Sequence, residues 1–149
     1  MRARVRRCQQ KYKIKLDVCG VDYLQLLSPP ESLRRNADDN AQIAAVSKGI
    51  KFMAKSMDMG LIAVSQLSRA SERRRDRTPQ LSDLRSSGQL EQDADIVMFV
   101  YREEMSDSTE ENAGLSRIIL AKQRSGPTGE VQLAFTKQFT CFDNLFQEG

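Results

Sequence analysis

Val21-Asp22-Tyr23-Leu24-Gln25-Leu26-Leu27 is an apolar run broken by a single acid, placed where a strand gives way to a loop. An acid at the carboxyl end of a buried strand is where a P-loop ATPase holds Mg2+. The phosphate cradle that accompanies it reads G-x-x-x-x-G-K-[ST]. None of the eight glycines opens that pattern. The stretch reads as half of a nucleotide site without the other half.

Working outward, Lys15 to Asp22 predicts a first strand, weakened by Asp17 and Gly20. Residues 2–12 predict a basic surface helix. Ser28-Pro29-Pro30 ends the element, and a polar loop follows to Asp39. Ile43, Val46, Ile50, Met53 and Met57 then recur at spacings of three and four, the stripe of an amphipathic helix. Asp38 or Asp39 is placed to cap it, and Gly60 to supply a left-handed stop. Gly49 inside it costs about 1 kcal/mol relative to alanine. The methionines read as core filling.

Leu61-Ile62-Ala63-Val64-Ser65 predicts a short, fully buried strand leading to Gln66. Residues 67–95 are polar, arginine-rich and too long for a plain connector. Ile96–Tyr101 predicts another apolar strand, and Ile118-Ile119-Leu120 a strand running into Lys122, Gln123 and Arg124. Gly126-Pro127-Thr128-Gly129 is a turn, Val131, Leu133 and Phe135 alternate in the return strand, and Phe139–Phe142 closes the sheet. This order predicts a three-layer α/β sheet with late antiparallel strands.

The 149 residues suffice for one domain with a real core. A composition 40% hydrophobic and 29% charged is that of a soluble globular protein. The net charge of +3 is unevenly placed. Arg2, Arg4, Arg6, Arg7 and Lys11 open the chain without an acid, and Arg69, Arg73, Arg74, Arg75 and Arg77 form a second cluster around Glu72 and Asp76. Residues 103–111 lean acidic. Basic patches suit a polyanion, and a solvated helix face has the same composition. The absence of histidine excludes His-based acid–base chemistry, Ser-His triads and nearly all zinc sites. Cys8, Cys19 and Cys141 form no C-x-x-C pair, as expected of a reducing compartment. No apolar run approaches the roughly 20 residues of a membrane span, so a cytoplasmic protein without membrane contact is expected.

Three predicted strands end in polar residues: Asp22, Gln66, and Lys122 with Arg124. In α/β sheets ligands collect beyond the carboxyl ends of strands. An acid can hold Mg2+, an amide can orient water, and two cations can stabilise a transferring phosphoryl group. Taken singly, an Asp or Gln at a strand end is more often structural than functional. In Asp83-Leu84-Arg85-Ser86-Ser87-Gly88, an arginine and bare backbone amides could grip successive phosphates of a single strand. A merely solvated surface loop has the same composition.

As a set, V-D-Y-L-Q-L-L, V-S-Q-L-S-R, D-L-R-S-S-G-Q-L-E-Q-D-A-D-I-V-M-F-V-Y-R-E and K-Q-R-S-G-P-T-G, in this order from about Arg2 to Leu145, resemble the C-terminal, RecA-like motor domain of DnaB-type replicative DNA helicases. The resemblance makes residues 1–149 the C-terminal portion of such a domain, with an α/β RecA-like sheet incomplete at its N-terminal side. It implies ATP and Mg2+ as cofactors. Asp22 looks like the Walker B acid that positions Mg2+ through water, and Gln66 like the γ-phosphate sensor. Lys122 and Arg124 look like the pair inserted into a neighbouring subunit's ATP site, with Arg124 as arginine finger. Arg85, Ser86 and Gly88 match the loop that follows DNA in the ring channel. Family members are hexamers that hydrolyse ATP and translocate 5′ to 3′ on single-stranded DNA, with primase and loader as further partners.

The sequence departs from the family pattern in three places. The phosphate loop, its lysine and the catalytic glutamate lie upstream of the matching segment. Ser86 stands where a glutamate is usual. Asp17, Cys19 and Gly20 interrupt a strand that is normally apolar. Without the Walker A loop the chain is expected to be inactive alone. An incomplete sheet exposes unpaired edges, so the chain is also expected to behave poorly or to need a partner that supplies the missing half. The alternatives are a non-catalytic DNA-binding or ring-interaction module, a decayed helicase fragment, or another RecA-like ATPase; the two glycine-bearing motifs speak against the last.

Overall fold

The computed structural model describes residues 1–34, 38–68, 74, 76–84, 87–102, 104 and 112–145. The chain divides into two compact units, Met1–Gln66 with Leu84–Asp93, and Leu67–Asp83 with Ala94–Gly149.

In the first unit, β1 (Val18–Val21) and β2 (Gly60–Ala63) pair in parallel, Val18 opposite Gly60 and Val21 opposite Ala63. A parallel pair needs a crossover, and α3 (Asp39–Ser56) provides it. The basic helix α1 (Arg2–Tyr12) precedes β1 as expected. β1 is shorter than predicted: Asp17 lies outside it, and its carbonyl accepts from the Gly60 amide at 2.7 Å. Two short helices are not evident in the sequence, α2 (Glu31–Arg34) after the prolines and α4 (Ser87–Asp93) inside the long polar segment.

Asp38 caps α3, its carboxylate accepting from the Ala41 amide at 2.7 Å, a contact worth about 1 kcal/mol. The helix stop differs from expectation. Asp58, at φ 47°, takes the left-handed position, whereas Gly60 opens β2. Asp residues tolerate that region, and here the carboxylate reaches Lys15 Nζ at 2.7 Å. The apolar stripe of α3 fills two clusters: Ile43 and Val46 with Val21, Leu24 and Leu90, and Met53 with Val5 and Met59.

β2 is not fully buried. Leu61 packs into the core while Ile62 and Val64 stand 64% and 51% exposed. A two-stranded sheet offers two faces, and the clusters of this unit take up Leu61 but not its neighbours.

The second unit is an antiparallel sheet in the order β3-β4-β5-β6, made of β3 (Ile96–Tyr101), β4 (Leu115–Gln123), β5 (Gly129–Thr136) and β6 (Cys141–Asn144). The late antiparallel strands agree with expectation. What changes is burial: Val97 and Phe99 are buried whereas Ile96, Met98 and Val100 are exposed. A run of apolar residues looks the same in sequence whether one face is covered or two, and antiparallel sheets commonly cover one.

Glu104 ties together one end of this sheet, where β3 and β5 finish and β4 begins. Its buried carboxylate meets Arg102 at 2.5 Å, Lys137 at 2.9 Å and the Gly114 amide at 3.1 Å. The Arg102 guanidinium, then Lys137 and the Gly114 N–H, pull its pKa down to about 2 against the opposing effect of burial. Gly114 sits at φ 74°, so a side chain would strain the turn into β4.

Candidate functional site

Two loops leave the carboxyl ends of β1 and β2, and backbone bonds lace them together. The Val64 amide donates to Val21 O and the Leu24 amide to Val64 O, each at 2.9 Å. Asp22 lies between the two residues bonded to Val64, and Gln66 lies two residues beyond it. The 3-10 turn Leu24–Leu26 then carries Gln25 across the gap. Its side-chain amide donates to Ser65 Oγ at 3.2 Å and approaches Gln66 O at 3.5 Å. Asp22 and Gln66 are both exposed. The lacing therefore presents a carboxylate and two amide side chains, Gln25 and Gln66, from adjacent loops at one end of the parallel pair. Gln66 itself is not at a strand end, since β2 stops at Ala63.

Lys122 and Arg124 belong to the second unit. Lys122 lies within β4 opposite Val97, and Arg124 follows the strand. The Arg124 amide donates to Asp95 O at 2.9 Å, and its Nε lies 3.3 Å from Asp95 Oδ1. The Gln123 side chain lies over Gly126, where an added Cβ would collide with it.

Gly88 is the second residue of α4, a helical position instead of the loop anticipated for it. Arg85 and Ser86 lie outside the described residues, as do Arg69, Glu72, Arg73 and Arg75. α4 is pinned by Leu90 in the core and by Asp93, which accepts from Ser47 Oγ at 2.6 Å and Gln89 Nε2 at 2.9 Å.

Arg74 and Asp83 form a clasp that the sequence does not signal. The Asp83 side chain, 1% exposed, takes both Arg74 Nη atoms, at 2.7 and 2.6 Å, and the Gln80 amide at 2.8 Å. Arg74 also donates to Thr78 O at 2.8 Å. The guanidinium holds Asp83 below the usual carboxylate range, with burial opposing. In the linear sequence Arg74 is only one more cation of a basic run. Asp95 carries no local signal either, although pairing Ile96 with Gln123 puts Asp95 beside Arg124 once the hairpin register is known.

Residues 1–144 match the family described as DnaB-like helicase C terminal domain. The chain belongs to this family. It is 44% identical over 149 residues to the replicative DNA helicase DnaB of Pasteurella multocida (strain Pm70), covering 99% of this chain and 31% of that protein. It is 42% identical over 145 residues to DnaB of Geobacillus stearothermophilus, covering 97% and 31%. The chain thus spans about a third of the length of these DnaB relatives. A solved DnaB-like replicative helicase, described with its primase interactions, superposes with a TM-score of 0.88 at 44% identity, over 97% of this chain and 35% of that one. A second solved structure, described as an ATPase domain, gives the same score and identity, over 97% and 50%. The α/β RecA-like class expected from the sequence holds for this DnaB-like domain.

Proposed function

We propose that this chain is the C-terminal part of the motor domain of a hexameric replicative helicase, which couples ATP hydrolysis to 5′-3′ movement on single-stranded DNA. The observation that carries the reading is the laced end of β1 and β2, which presents Asp22 and Gln66 from neighbouring loops. One exposed carboxylate beside amide groups suits Mg2+, which keeps most of its water and takes its other ligands from phosphate. Asp22 would hold that hydrated ion, which together with ATP supplies the electrophilic phosphoryl group and charge neutralisation. Gln66 would face the γ-phosphate, and Gln25 would fix the backbone that carries Gln66. Arg124, with Lys122, would act on the nucleotide of an adjoining subunit, where an arginine finger is worth a factor of about 10³ to 10⁵ in rate. The segment of Arg85, Ser86 and Gly88 would contact DNA phosphates. The primase interaction of a solved relative makes primase a candidate partner.

The test is ATPase activity, with and without single-stranded DNA, of this chain alone and mixed with a helicase fragment carrying G-x-x-x-x-G-K-[ST]. DNA-stimulated turnover in the mixture, abolished by Arg124→Ala with nucleotide binding retained, is the expected result. No turnover in either, from a chain shown by circular dichroism to be folded, would leave a binding module.

A further inference from the structure

The outward faces of α1 and α3 carry cations and rings but almost no acid. On α1, Arg2, Arg4, Arg6, Arg7 and Lys11 are exposed, with Lys13 next in sequence, while Val5 anchors the helix on Met53 and Met59. Arg4, Arg7 and Lys11 form one stripe at helical spacing, and Arg2 and Arg6 a second. On α3, no Asp or Glu occurs between Asp39 and Asp58, and Lys48, Lys51 and Lys55 fall in that interval. Phe52 stands among them, 65% exposed, on the same face as Lys48 and Lys55. The Arg2 guanidinium lies 6.0 Å from the Phe52 ring centre, which joins the two helices into one surface. Tyr12 repeats the pattern, 59% exposed with Lys11 Nζ 5.1 Å from its ring.

Cations alone describe an ordinary solvated face. The rings set among them add a second feature, because an exposed ring paired with a cation keeps a face on which a base can stack. Positive groups that track a backbone, with aromatic faces on which bases stack, are how proteins hold single-stranded nucleic acid. We propose that the α1–α3 face is a second binding surface for a single strand, separate from the segment around Gly88. Arg4, Arg7 and Lys11 take phosphates, and Phe52 stacks on a base. The choice of ligand rests on the reading of the chain as part of a DNA motor; the surface itself does not. A second copy presenting the same face would set like charge against like charge.

The test titrates a fluorescent oligothymidine with the 149-residue chain across about 50 to 200 mM salt. It compares the parent, Phe52→Ala, the double variant Arg4→Gln with Arg7→Gln, and Arg85→Ala, each checked for folding by circular dichroism. Phe52→Ala should lower affinity about tenfold, the loss of one stacked base. The double variant should flatten the slope of log affinity against log salt by about 1.4, at about 0.7 per lost phosphate contact. Parental behaviour in both, with weakening only in Arg85→Ala, would overturn this surface and leave the loop reading standing. Weakening in both with Arg85→Ala unaffected would support the surface and remove the loop. A parent chain that binds no oligothymidine overturns the proposal outright. Equally tight binding of polyglutamate, indifferent to Phe52→Ala, would assign the face to an acidic protein and also overturn it.

Discussion

Arg124 is joined to Asp95 twice, by its amide to the Asp95 carbonyl at 2.9 Å and by its guanidinium Nε to the carboxylate at 3.3 Å. The backbone bond fixes where the residue starts and the side-chain contact steers where it points. Both side chains are more than half exposed, so the pair adds at most about 1 kcal/mol to stability. Its value would lie in aim. Asp95→Asn should therefore leave the melting temperature nearly unchanged while lowering DNA-stimulated kcat in a reconstituted ring by roughly ten- to a hundredfold, as for a misplaced catalytic group. The KM for ATP should hold. A parental kcat would show that Arg124 needs no such partner.

The Arg74–Asp83 clasp calls for the opposite outcome. Asp83 is almost wholly buried whereas Arg74 is partly exposed, so removing the guanidinium strands a buried carboxylate. Arg74→Ala should therefore lower the urea midpoint markedly, and by more than Asp83→Ala, which leaves a cation that water can reach. Arg74→Lys should rescue little, because an ammonium cannot reproduce the two-pronged contact.

Glu104 predicts a pH dependence. Its folded pKa of about 2 lies below the ordinary 4.5, so its contribution is fully present above the unfolded value and fades as pH falls from about 4.5 towards 2. Urea midpoints of the parent should fall through that window. Glu104→Gln should lower the midpoint at neutral pH and flatten the acid dependence; a parallel acid curve would assign the effect to other carboxylates.

Gly49 is a glycine without a steric reason to be one: nothing lies within 4 Å of an added Cβ, and it sits mid-helix in α3. Gly49→Ala should stabilise the chain by about 1 kcal/mol, measurable as a higher thermal midpoint. A lower midpoint would mean that this helix face is occupied.

Much of the fold could be read from short stretches. The period of Ile43, Val46, Ile50 and Met53, the cap at Asp38, the alternation around Phe135 and the turn at Gly126 all depend on residues within a few positions of one another. The placing of Asp22 after β1 followed from the same kind of signal. The site was less legible. Gln25 reads as part of an apolar run, and only the bond to Ser65, 40 positions away, shows its use.

What the sequence by itself determined was therefore local: helix and strand identity, caps, turns, and the motifs that carry the family resemblance. Periodicity and steric preference act between near neighbours, and a linear chain displays them openly. Tertiary structure alone decided that Asp58 and not Gly60 ends α3, that one face of β2 and of β3 stays exposed, that Arg74 is a clasp rather than a free cation, and that Asp95 holds Arg124. Each of these depends on which distant segments meet, and the free energy of such a meeting is set by the packing of the whole unit, which is encoded in no single stretch of residues.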